Sequence, residues 1–169
     1  GRVFRASIAD NPVNPLATTL YLVCRDQFGN LGIAPDSLKK NLSKYLNEFR
    51  LISDAYDILD GQITNFGVKY EVVVAQNANK QQVALNINNR LTELLQLKYF
   101  QIDQPLIMDD ITSTILAQDF VIALSDLRVF PRTGVVEDRS YSDSSFPFEK
   151  STKRGMIFGP PGSIFELKF

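Results

Sequence analysis

The chain has 169 residues, 44% of them hydrophobic and 22% charged, which is length and apolar material enough for a core without disulfide staples and too ordinary a composition for wholesale disorder. Its 18 basic residues stand against 19 acidic ones, so no global positive field is available to hold a nucleic-acid backbone by counterion release. Histidine is absent, which removes the commonest general base and metal ligand together and excludes any Ser-His or Cys-His catalytic unit.

Residues 1–17 carry Asn11, Pro12, Asn14 and Pro15 behind a short Val3-Phe4 pair and read as an N-terminal arm or linker. They begin Gly1-Arg2-Val3 without a methionine, as a piece of a longer polypeptide would. Residues 18–25 are rich in β-branched, aromatic and aliphatic types and close at Asp26-Gln27-Phe28-Gly29-Asn30, the pattern of a strand and a turn. Leu20, Leu22 and Cys24 then share a face, and the lone cysteine, set in an apolar run, reads as a packed thiol of a reduced compartment. Over residues 35–49, Leu38, Leu42, Tyr45, Leu46 and Phe49 follow Pro35 at helical spacing, with Lys39, Lys40, Lys44 and Glu48 on the solvated side. Over residues 54–66 the apolar residues thin to Ile58, Leu59 and Ile63, which gives a short irregular strand around Asp60-Gly61.

The rest of the chain is organised around residues 67–130. Val68, Tyr70, Val72 and Val74 alternate with Lys69 and Glu71, the two-residue period of a half-buried strand, while Val73 and Ala75 leave its second face partly apolar. Val83, Ile87, Leu91, Leu94 and Leu95 then recur at steps of three and four, with Gln81, Asn88, Arg90 and Glu93 toward water. This predicts a helix ending near Leu97, with Asn77 or Asn79 as its cap. A break over residues 101–105 precedes a short helix that starts at Asp109 or Asp110 and carries Ile111, Ile115 and Leu116. A last strand follows over 120–129, with Phe120, Ile122 and Leu124 opposite Val121 and Ala123.

The order β-α-β-β-α-α-β over 18–130 predicts one α+β domain, a ferredoxin-like split β-α-β sandwich with its helices on one face of an antiparallel sheet. The opposite face, with Val73, Ala75, Val121 and Ala123, needs cover from a neighbouring chain or from the C-terminal arm, residues 131–169. Ser, Asp, Lys and Pro dominate the first part of that arm, and two β-like pieces, 155–158 and 163–169, flank Gly159-Pro160-Pro161-Gly162. Phe146, Phe148, Phe158, Ile164, Phe165, Leu167 and Phe169 are too many apolar residues for a solvated tail. They are expected to dock, either as aromatic anchors of a partner interface or as cover for the chain's own open sheet face.

Candidate chemistry is sparse. Asp54, Asp57 and Asp60-Gly61 lack the spacing and the downstream glutamate of an EF-hand. Asp109 and Asp110 suit the N-terminus of a helix, where carboxylates offset the dipole, better than they suit a glycosidase pair with Asp119. Gly155, Gly159 and Gly162 have neither the lysine nor the following helix of a phosphate loop. No catalytic set, metal or cofactor is expected, and no apolar run is long enough for a membrane span. The alternative from another class is a ferredoxin-like module that binds a small ligand or RNA on its sheet face, for which Tyr70 is present but the basic-glycine-aromatic sequence is not.

The run Ile63-Thr64-Asn65-Phe66-Gly67-Val68-Lys69-Tyr70-Glu71-Val72-Val73-Val74, the leucine-striped helix ending Leu97-Lys98-Tyr99-Phe100, and then Ile102-Asp103-Gln104-Pro105-Leu106 with a short helix together resemble the C-terminal part of baseplate J-like proteins. The likeness is clearest over 36–130. The closing Ile164-Phe165-Glu166-Leu167-Lys168-Phe169 is similar, more narrowly, to the large baseplate wedge subunit of contractile-tailed phages of the T-even type. At Asp103-Gln104 the chain departs from the family, where glycine is usual. The resemblance implies a virion structural protein of the tail baseplate, assembled in the host cytoplasm and without enzymatic activity. It implies homodimers, a ring of like subunits joining wedges around the hub, contacts with other wedge and hub proteins, and neither nucleic acid nor membrane as a partner. Interfaces of that kind rearrange without breaking when the baseplate changes shape, which a rigid domain with flexible arms permits.

Overall fold

Where the asparagines and prolines near the start suggest an arm, the chain forms a strand, β1 (Arg2–Asp10), paired antiparallel with β2 (Ala17–Arg25). The polar cluster between them is the hairpin's turn: Asn11 Oδ1 accepts from the Val13 and Asn14 amides at 2.9 and 3.1 Å, and Asn14 Oδ1 accepts from the Leu16 amide. The computed structural model describes residues 2–11, 13–49, 55–136, 139–143 and 145–168. The chain divides into two compact units, Gly1–Ile63 with Gln101–Asp103 and Pro160–Ile164, and Thr64–Phe100 with Gln104–Gly159 and Phe165–Phe169. The stretch 18–130, expected as one domain, is shared between the two.

In the first unit β2 is the central strand. β3 (Leu31–Gly32) pairs with its end, α1 (Asp36–Asn47) follows, and β4 (Ala55–Asp60) returns parallel to β2. The helix stripe Leu38 and Leu42 packs on Leu20, Leu22, Cys24, Ala34 and Ile58, as the alternation of β2 requires. Asp60 joins the end of β4 to the start of α1, accepting from the Ala34 amide at 2.9 Å and from Lys39 Nζ at 2.6 Å. Lys39 therefore belongs to the packed side of the helix and not to its solvated face. Tyr45 and Phe49, which fit the apolar stripe by spacing, instead stack on each other at 4.9 Å and stay more than half exposed. Cys24 is free and buried, and that burial pushes its thiol pKa up.

The opposite face of this sheet meets the segments 101–103 and 160–164. A Cβ on Gly162 would overlap the Tyr21 ring, and one on Gly61 would overlap Val23. Asp103 takes a φ of 63°, the left-handed region that glycine favours, and its Oδ1 accepts from the Gly162 amide at 2.6 Å. The aspartate at this position thus supplies a hydrogen bond that glycine would not.

The remaining elements begin with β5 (Gln62–Val74) and α2 (Lys80–Leu94), then a 3-10 turn at Leu97–Tyr99, β6 (Leu106–Ile107), α3 (Met108–Leu116) and β7 (Val121–Pro131). Short strands follow, β8 (Val135–Val136), β9 (Arg139–Ser140), β10 (Thr152–Lys153), β11 (Met156–Ile157) and β12 (Ser163–Leu167). They form sheets β12-β5-β7, β10-β11-β6 and β8-β9. The stripe of α2 buries Val83, Ile87 and Leu91, with Leu95 just beyond it, and Ile111 and Ile115 of α3 are fully buried. Asn79 caps α2, its side chain accepting from the Gln81 and Gln82 amides at 3.1 and 3.3 Å. Asn79→Ala should cost about 1 kcal/mol, visible as a lower urea midpoint at unchanged slope. Asp109 and Asp110 lie in the first turn of α3, where the dipole favours them, but make no side-chain cap, and Ile107 holds the capping position.

The fold is α+β. The ferredoxin-like arrangement is not what the strands adopt: β2 has β1 along one edge and β4 and β3 along the other, so neither edge remains for β5 or β7. β2 and β4 are direct parallel neighbours with α1 between them in sequence, not the two outer members of a split unit. β5 and β7 pair antiparallel in a different sheet.

Candidate functional site

The C-terminal apolar residues expected at a partner interface do not share one surface. Phe146, Phe148, Ile164 and Phe165 are buried within this chain, Phe158 is exposed, Leu167 is half-buried, and Phe169 lies outside the described residues. In the second unit, Phe148 and Phe165 stand 6.2 and 6.1 Å from the ring of Phe66, Phe100 closes the cluster at 6.4 Å, and Phe146 packs edge-on to Phe148 at 4.9 Å. These edge and tilted geometries are those aromatic quadrupoles favour. The tail reaches this position by lengthening the sheet as β12 and not by lying across its open face. Two of these rings, Phe146 and Phe148, come from the polar stretch 139–153, which has no core of its own.

A buried polar group fastens the same place. Asn65 donates through Nδ2 to Glu166 at 2.7 Å and accepts through Oδ1 from the Ser142 amide at 2.7 Å. The second oxygen of Glu166 pairs with Lys168 Nζ at 3.0 Å, so the buried carboxylate is both hydrogen-bonded and charge-compensated. Beside it opens a cleft of about 280 Å³ lined by Gly67, Val68, Tyr70, Asn88, Arg132 and Lys168 among others. In this cleft Tyr70 donates to Asn88 Oδ1 at 2.8 Å, and burial raises its phenol pKa, so it remains protonated. Among the described residues no group of three or more His, Cys, Asp or Glu side chains converges to hold a metal. Asp57 accepts from Asn11 and Asp60 from Lys39 and Ala34, while Asp54 lies outside the described residues.

The uncovered surface carries several large apolar side chains. On the second unit, Val73 lies opposite Ala123, and the register shift between Val73 and Val74 leaves Ile122 unpaired and 66% exposed. Next to it Phe120 holds a φ of 67°, a region bulky residues avoid, and still exposes its ring. Of the residues expected on the open face, Val73 and Ala123 are opposite one another and exposed, whereas Val121 pairs with Val74 and so lies on the other face. On the first unit, Phe28 and Ile33 are largely exposed around a concavity of about 390 Å³ that also includes Cys24 and Pro35. The sequence assigns no burial to Phe28 and Ile33, which fall in the turn after β2 and between β3 and α1, where period says nothing about burial. No helix of the chain, among the described residues, is long and apolar enough to cross a membrane.

No protein-family model matches the sequence, and no curated protein does. Among solved structures, the fold is similar to that of a chain in the cryo-EM structure of the anti-feeding prophage baseplate, 6-fold symmetrised, with a TM-score of 0.52 and 7% identity over 90% of this chain. This chain spans 29% of the length of that one. At such identity the likeness is one of fold.

Proposed function

We propose that this chain is a structural component of the baseplate of a contractile tail and works by holding protein subunits together, without catalysis or cofactor. The observation that carries the reading is the fold likeness to a chain of the anti-feeding prophage baseplate over 90% of this chain. The sequence resemblance to the C-terminal part of baseplate J-like proteins supports it independently. So do the exposed apolar groups at Phe28, Ile33, Phe120 and Ile122, which suit subunit contacts better than a solvated surface. Within this reading the chain is a wedge subunit, pairs with its own kind, and contributes to a ring of wedges around the hub.

The test is location. Antibody raised against the purified chain should decorate the baseplate end of contractile tail particles from the source virus or host. The purified chain should also show a weight-average mass that rises with concentration, indifferent to added RNA. Particles that carry no such label at the baseplate, with a monomer that binds RNA in a salt-sensitive manner, would replace this reading with the nucleic-acid-binding one.

A further inference from the structure

We propose that β7 pairs edge to edge and antiparallel with β7 of a second copy of this chain, about a two-fold axis passing through Leu127. The inference rests on the assembly reading and names the surface between like copies. In the sheet β12-β5-β7, β7 is an outer strand of 11 residues, and among the described residues nothing pairs with its far edge. A free edge of that length presents a row of unpaired N–H and C=O groups, which natural proteins usually blunt with lysines, prolines or bulges. Here the irregularities fall at Ser125 and Ile122, and Pro131 stands at the other end, so a pairing centred on Leu127 has 126–128 as its regular part and brings Val129 and Phe130 against Ser125 and Leu124.

The charges along that run select the partner. Across β5, Lys69 lies opposite Arg128 and Glu71 lies opposite Asp126. Like charges directly opposite one another are unfavourable in a sheet, so the isolated chain leaves both pairs frustrated, relieved among the described residues by the Arg128 to Asp126 contact of 2.8 Å along the strand. A two-fold at Leu127 sets each Arg128 opposite the second copy's Asp126, on the same face, so that each strand of the pair offers the charge that β5 does not. Shifting the axis by one residue sets Asp126 against Asp126 or Arg128 against Arg128. Shifting it by two sets the charges against Leu124 and Ile122, or Arg128 against Phe130 with Asp126 facing past the end of the strand. Of these registers one satisfies the charges, and it is self-complementary, as an isologous interface must be. The Arg128 side chain is 69% exposed, so it can exchange its ion pair along the strand for one with the second copy's Asp126.

The experiment uses the full chain and two charge reversals, Asp126→Arg and Arg128→Asp. Light scattering across a concentration series should give a dimer for the natural chain and at least about tenfold weaker dimerisation for each reversal, because both copies of the pair become repulsive. An equimolar mixture of the two reversed chains should restore the dimer, since positions 126 and 128 are then both positive in one copy and both negative in the other. As monomers the reversed chains should unfold at no lower urea concentration than the natural one, because each gains an opposite charge across β5; this separates a lost interface from a damaged fold. Dimers that persist in both reversed chains would overturn the β7 edge and leave the assembly reading standing. A natural chain that stays monomeric throughout would overturn it as well, while decoration of the baseplate is judged separately.

Discussion

Phe66→Ala should lower the unfolding free energy by about 3–5 kcal/mol, read from urea denaturation followed by circular dichroism. Phe66 has no exposed surface, and its ring is the one shared by Phe100, Phe148 and Phe165. Removing it leaves a cavity whose walls are other rings, which offer no polar partner to a water, so the space stays empty and both the transfer term and the cavity term are lost. Phe158→Ala is the contrasting variant: at 44% exposure it should change stability by no more than about 0.5 kcal/mol. In sequence each precedes a glycine, Phe66-Gly67 and Phe158-Gly159, and nothing there separates the buried ring from the exposed one. Equal costs for the two would mean that the cluster around Phe66 is not the core of the second unit.

Periodicity locates what periodicity can encode. The stripe Val83, Ile87, Leu91 and Leu95 is buried, and Val68, Tyr70, Val72 and Val74 turn away from the exposed Lys69, Glu71 and Val73, because both patterns span enough residues to fix a face. The partner of a strand is not encoded in its period. β1 reads as a linker because the asparagines and prolines after it dominate the window, and its pairing with β2 displaces the ferredoxin-like order by occupying an edge. Likewise Phe146 and Phe148 lie in a polar stretch without period, and only the return of β12 to β5 brings them to Phe66. Tyr45 and Phe49 fit the helical stripe of α1 and remain exposed, because their end of the helix extends past the cluster formed by Leu20, Leu22, Cys24 and Ala34. The candidate surfaces are half legible: the apolar second face at Val73 and Ala123 can be read from alternation, whereas the opposition of Lys69 to Arg128 needs the register of two strands far apart in sequence.

Deletion of residues 131–169 should abolish cooperative folding of the second unit. The deletion removes Phe146, Phe148 and Phe165 from around Phe66, and with them Glu166 and the Ser142 amide, the partners of the Asn65 side chain. Each lost ring is worth about 3–5 kcal/mol, against a total stability for a domain of this kind of about 5–15 kcal/mol, so three together exceed what the fold can lose. β5 also loses a neighbour, since Lys168 N donates to the Phe66 carbonyl at 2.9 Å. The shortened chain should show a broad, shallow urea transition, narrow amide dispersion in its NMR spectrum and binding of a hydrophobic dye. A sharp transition with the slope of the full chain would show that the tail is an appendage after all. The consequence for assembly follows from the same contacts. A truncated chain that fails to associate reports a lost core and not a lost interface, because the aromatics that would be removed are the ones the chain keeps for itself. The interface has to be tested by single charges on β7, at Asp126 and Arg128, where the side chains are outside the core and their reversal leaves the rings around Phe66 untouched.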